Sequence, residues 1–162
     1  ALDIAAGSGL DLPLVYNSSG YERIEALKIL EGIVDIYMPD FKFWNPEVSQ
    51  KACNAPDYPY IARKAIKEMH RQVGELETDA NGIALSGLLV RHLVLPENLA
   101  GTKQVMEFLA RKISSKTRVN IMSQYRPMYR ARTMAGLNRS VGVEEYKAAL
   151  EEARTLGLKI LE

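Results

Sequence analysis

Four apolar runs recur along the chain, at 12–18 (LPLVYNS), 33–41 (IVDIYMPDF), 88–96 (LLVRHLVLP) and 118–125 (RVNIMSQY). Their length suits buried β-strands, and the stretches between them carry apolar residues at helical spacing. After the first run, Ser19 and Glu22 have the spacing of a capping box, which predicts a helix with Ile24, Leu27 and Leu30 inward. Ile61, Ala65, Ile66, Met69 and Val73 predict one face of a longer helix. Thr102 is placed to cap a third, carrying Val105, Phe108, Leu109 and Ile113. Tyr146, Ala149, Leu150, Ala153 and Leu156 line one side of the last. The opening ALDIAAGSGL reads as the tail of another helix, ended by Gly9.

Strand and helix in alternation imply βα units with right-handed crossovers, hence an α/β fold with a parallel sheet. The near-continuous apolar character of the runs predicts strands covered on both faces. At 75–87 the alternation is interrupted, and Asn81-Gly82 marks the tight turn of a small hairpin. No repeat or linker divides the 162 residues, so 1–162 reads as a single domain. Four strands cannot close a barrel, which needs ~250 residues in its complete eight-unit form. Two architectures stay open: a small open sheet, or part of a larger barrel that the chain enters in mid-helix.

Composition narrows the function more than the fold. Hydrophobic residues make up 47% and charged residues 25%, an ordinary soluble balance. Lys and Arg number 21 against 20 for Asp and Glu, so net charge argues for no nucleic-acid partner. Arg126, Arg130, Arg132 and Arg139 form the nearest approach to a basic patch, read as a solvated loop face ahead of an anion site. Cys53 is the single cysteine. It allows no internal disulfide and no cluster or zinc site built from this chain's own thiolates, and it reads as a small loop residue. With no signal-peptide pattern and no apolar stretch of membrane length, the expected location is cytoplasmic, away from the membrane.

The chemistry collects where parallel α/β folds put it, at the C-terminal ends of the strands. The first run ends in Asn17, Ser18, Ser19 and Gly20, the second in Asp40 and Lys42, the fourth in Gln124, Tyr125 and Arg126. The third holds Arg91 and His92 inside an apolar run, where a charge is costly unless paired or in contact with a ligand. Strand alternation puts Met38, Asp40 and Lys42 on one face. Two readings of that face are balanced: a structural ion pair of Asp40 with Lys42 or Arg91, or a ligand site. His92 points the opposite way from Arg91 and reads as packed against a helix, while His70 reads as surface or partly buried. No Ser or Cys partner stands at a triad spacing, and SSGY (18–21) is too short for a phosphate loop, so no catalytic or metal-ligating residue is assigned.

Five blocks in fixed order, PLVYNSSGYE, VDIYMPDFKFW, EMHRQVGEL, LLVRHLVLP and VNIMSQYRP, carry a resemblance that covers residues 1–156. They resemble the C-terminal part of radical S-adenosylmethionine proteins, in the group similar to pyruvate formate-lyase-activating enzyme. The resemblance implies a partial parallel (β/α)6 barrel of which these are the last four strands. It also implies a CxxxCxxC motif upstream of Ala1, holding a [4Fe–4S] cluster in the full-length protein. Cys53 cannot replace that motif, so this chain alone is expected to be an inactive fragment.

The implied activity is that of an oxidoreductase that cleaves S-adenosylmethionine to a 5′-deoxyadenosyl radical. Its implied partners are an electron donor and a protein substrate, a glycyl-radical enzyme such as pyruvate formate-lyase. By the same resemblance Asp40 and Lys42 match a D-x-K beside the methionine moiety of the cofactor. A carboxylate suits its ammonium and a lysine its carboxylate. Arg91 matches an arginine suited to a carboxylate or ribose oxygens. Asn17 matches a polar strand-end position, and Gln124 or Tyr125 falls where an adenosine contact is placed. The competing reading is a non-catalytic partner-binding module with paired strand-end charges. As part of a truncated barrel, the strand 12–18 is expected to present a bare sheet edge, covered by another copy, a crystal contact or the chain's own C-terminal segment.

Overall fold

The structure is a computed structural model that describes residue 4 and residues 7–161. Most of the expected N-terminal helix tail therefore lies outside the described residues. The described residues form six strands, β1 (Val15–Ser18), β2 (Ile36–Pro39), β3 (Glu77–Thr78), β4 (Ala84–Leu93), β5 (Arg118–Met122) and β6 (Lys159–Ile160). Their order is β1-β2-β4-β5-β6, all parallel, with β3 antiparallel on the early part of β4. The sheet does not close. It matches the partial parallel β/α barrel that the resemblance implies, one of the two architectures the alternation left open, with β3 and β6 added.

The β3–β4 hairpin turns where Asn81-Gly82 predicts it. The Asp79 carboxylate accepts from the amides of Asn81 and Ile83, and Gly82 takes φ +82°. Gly87 sits where the hairpin meets the parallel sheet. It has φ +110°, and a Cβ there would come within 2.2 Å of the Glu75 carbonyl oxygen. Only glycine tolerates both conditions.

Among the described residues α1 (Ile24–Ile29), α2 (Pro46–Cys53), α3 (Tyr58–Val73), α4 (Thr102–Phe108) and α5 (Val143–Thr155) form the helix layer. The inward faces follow the predicted spacing, with Leu27, Ala65, Ile66, Met69, Val105, Leu109, Ala149 and Ala153 buried. The caps do not. Ser19 accepts from the Tyr21 amide in a local turn, and α1 starts after Arg23 with no side-chain cap. Thr102 is the first residue of α4 rather than its cap; Gly101 holds the cap position and Asn98 accepts the Thr102 amide. Cys53 ends α2, a helix capped by Asn45 and opened by Pro46, so it is not a loop residue.

Burial along the strands corrects the expectation of two covered faces. In β4 and β5 it alternates, with Leu88, Val90, His92, Val119 and Ile121 buried and Leu89, Arg91, Leu93, Arg118, Asn120 and Met122 half-buried. The buried side packs on the helices, where Tyr37, Phe41, Met69 and Phe108 belong to one core. The other side is the inner face of the unclosed barrel and stays partly open. Its half-apolar residues make the runs look continuous in sequence. At one edge β1 pairs only with β2 among the described residues, with Leu12 and Val15 exposed. The C-terminal segment does not cover that edge; β6 pairs with β5 on the far side.

Candidate functional site

The parallel register sets the inner face in rows, because register partners on adjacent strands share a side. Asn17 is level with Met38. One step toward the strand ends, Asp40 bridges to Arg91, which is level with Asn120. Arg91 Nε donates to Asp40 Oδ1 at 2.7 Å, and Lys42 Nζ donates to Asp40 Oδ2. The Asp40 side chain is 14% exposed, that of Arg91 28% and that of Lys42 39%, so the triad shades from a sheltered carboxylate to a solvated ammonium. Burial alone would raise the carboxyl's pKa. Hydrogen bonds from Arg91 and Lys42 outweigh it and hold Asp40 below the usual carboxylate range.

The backbone of this corner is fixed from the helix side. Tyr58, buried at the start of α3, accepts from the Lys42 amide at 2.8 Å. Its hydroxyl hydrogen faces two acceptors, the carbonyls of Ser19 at 3.0 Å and Asp40 at 2.9 Å. One hydroxyl thereby ties the ends of β1 and β2 together. Burial pushes the phenol's pKa well up, so it stays protonated and able to donate. Gly20 completes the close approach: at φ +73°, a Cβ would lie 2.4 Å from the Asp40 carbonyl oxygen.

His92 faces the helices, as expected. Its Nδ1 lies 2.7 Å from the Phe41 carbonyl and its Nε2 2.9 Å from Thr102 Oγ1. A carbonyl only accepts, so Nδ1 carries the proton and Nε2 accepts from the threonine. Burial pushes the imidazole's pKa down to about 4, which keeps it neutral. His92 braces Phe41, between Asp40 and Lys42, against α4.

Of the residues singled out in sequence, the structure brings Asp40, Lys42 and Arg91 into direct contact. Asn17 shares their face one row earlier, exposed, with no side-chain hydrogen bond among the described residues. Gln124 is exposed two residues beyond β5, with no side-chain hydrogen bond among the described residues. Tyr125 instead donates from its hydroxyl to the Leu137 carbonyl at 2.8 Å. Of the arginine patch, Arg139 is paired with Glu145 at 2.8 Å. Asn120 and Tyr58 were not singled out, and Gly20 was named only as part of the first strand end. Alternation against buried Val119 and Ile121 marks Asn120 as inward, whereas Tyr58 reads as an ordinary core aromatic.

Among the described residues no group of three His, Cys, Asp or Glu side chains is placed to hold a metal ion. No helix among them is long and apolar enough to cross a membrane.

Comparison with known proteins fits this architecture. An uncharacterised protein of Methanocaldococcus jannaschii is 32% identical over 152 residues, a match covering 93% of this chain. The chain spans 40% of that relative's length. The crystal structure of a domain of pyruvate-formate lyase-activating enzyme from Bacteroides vulgatus superposes with a TM-score of 0.68 at 16% identity. That match covers 99% of this chain and 85% of the other, and at this identity it establishes a common fold. No family model matches the chain.

Proposed function

We propose that this chain is the C-terminal part of a radical S-adenosylmethionine protein, and that its inner-face row contributes to the cofactor site. The observation that carries the reading is the Arg91–Asp40–Lys42 triad, standing at the strand ends on the open side of a sheet with this fold. Paired carboxylate and cations are complementary to the ammonium and carboxylate of an amino-acid moiety. Asp40 is ionised at neutral pH and is the acceptor for the ammonium. Lys42, the most solvated member, would exchange its bond to Asp40 for one to the carboxylate. Asn17 lies on the same side for a polar contact, and Gln124, exposed past the β5 end, would offer its amide to the adenosine.

The residues present do not fit a [4Fe–4S] cluster, since Cys53 is the one thiol and lies exposed at the end of α2. A cluster would belong to another part of a longer polypeptide, and the relative, of which this chain spans 40%, is such a longer chain. In a longer polypeptide that held both, cofactor and cluster would supply the radical chemistry. This chain's part is to bind and orient the cofactor's amino-acid end. A glycyl-radical protein as substrate, a separate electron donor and a cytoplasmic location belong to the same proposal. The test is anaerobic reconstitution of the longer polypeptide with iron, sulfide and reductant, followed by an assay for 5′-deoxyadenosine. Its formation supports the reading, and a reconstituted cluster that yields none overturns it.

A further inference from the structure

Beside the triad, a cleft of about 1200 Å³ opens between α2 and the segment 125–137, over the ends of β2 and β4. Phe43, Leu93, Leu95 and Leu137 contribute apolar lining, and Met128 and Tyr129 form part of the far wall. That wall is held at both ends. Tyr125 donates to the Leu137 carbonyl, and Arg139 pairs with Glu145, which also accepts from the Glu97 and Gly142 amides.

On this anchored wall Met128 is 54% and Tyr129 89% exposed, and Tyr129 takes φ +47°. A bulky side chain in the left-handed region is uncommon and costs about 1 kcal/mol or more. Such costs cluster where a chain must present a side chain to a ligand. The charges add a direction. Lys42, Lys51 and Arg130 line the cleft against the single acid Glu47. Lys42 is engaged by Asp40, and Lys51 Nζ lies 3.3 Å from the Ala135 carbonyl. Arg130 enters no ion pair among the described residues.

We propose that this cleft binds a small organic anion with an apolar, preferably aromatic, body. Arg130 receives its carboxylate, and the body lies between the Met128–Tyr129 wall and the floor of Phe43, Leu93 and Leu95. Clefts with an apolar lining and a few polar groups suit small molecules rather than polyanions, which need extended rows of cations. The inference rests on the cleft alone and holds whether or not the triad binds S-adenosylmethionine.

The test is a ¹H–¹⁵N titration of the full chain with 3-phenylpropanoate, 3-phenylpropanamide and 3-phenylpropylammonium. The expected result is saturable shifts confined to 43–54 and 125–137, with the carboxylate bound roughly fivefold tighter than the amide and the ammonium weakest. Arg130→Gln should remove the preference for carboxylate over amide while leaving amide binding unchanged. Tyr129→Ala should weaken both alike. Both substitutions are at exposed positions, and thermal melts confirm that the variants fold. Absence of saturable shifts in these segments overturns the proposal. So do equal binding of amide and carboxylate, and a preference that survives Arg130→Gln.

Discussion

Arg91 reaches across the parallel β2–β4 pair to Asp40, Nε to Oδ1 at 2.7 Å, on the half-buried side of the sheet opposite the helix-packed core. The two are level in the ladder, and Lys42 takes the carboxylate's other oxygen. Partly sheltered ion pairs fall between the near-zero value of exposed pairs and the larger cost of breaking buried ones. A double-mutant cycle with Asp40→Asn and Arg91→Gln should therefore give a coupling of about 1–2 kcal/mol in denaturant unfolding. Coupling within error of zero would show that the pair is a surface accident rather than an organised row.

Two groups make acid stability informative. Asp40 has a lowered pKa in the folded state, so its contribution is present above the ordinary carboxylate range and lost as pH falls through the folded value. His92 acts earlier. Its imidazole is neutral in the fold with a pKa of about 4 against 6.5 unexposed to the fold, so the unfolded chain takes up the proton first. Stability should then drop by about 2 kcal/mol between pH 7 and pH 5 from this group. Replacing the pair by His92→Leu/Thr102→Val should flatten that slope in unfolding curves at several pH values. An unchanged slope would mean that the drop comes from other groups.

Tyr58 and Gly20 should be intolerant for different reasons. Tyr58→Phe removes the acceptor for the Lys42 amide and the donor to two carbonyls, costing about 1–3 kcal/mol through unsatisfied backbone groups. Gly20→Ala meets the Asp40 carbonyl and a positive φ together, and should cost about 3 kcal/mol or more. Thermal melts read both. A Gly20→Ala variant as stable as the parent would show that β1 and β2 do not meet at this distance.

What was legible in the sequence was periodic. Ile66, Met69, Val105 and Ala149 announce their helix faces, and Asn81-Gly82 announces its turn. Asp40, Lys42 and Arg91 could be grouped because alternation and parallel pairing are rules of geometry. The caps at Ser19 and Thr102 failed because a competing partner took each group: a local turn in one case, His92 in the other. Tyr58 was invisible for a related reason. Its role depends on where two strand ends meet, and nothing in its neighbours Asp57 and Pro59 encodes that. The open inner face was missed because Leu89, Leu93 and Met122 are apolar without being fully buried.

The central claim is that the Asp40 row holds S-adenosylmethionine, and its most direct measurement is cofactor affinity. Isothermal titration of the reduced, reconstituted longer polypeptide should compare the parent with Asp40→Ala and Lys42→Ala, each checked for folding by thermal melt. Loss of one charged contact to the amino-acid moiety predicts roughly 10- to 100-fold weaker binding for each variant. Unchanged affinity in both folded variants would contradict the account and leave the triad as a structural lock on the sheet.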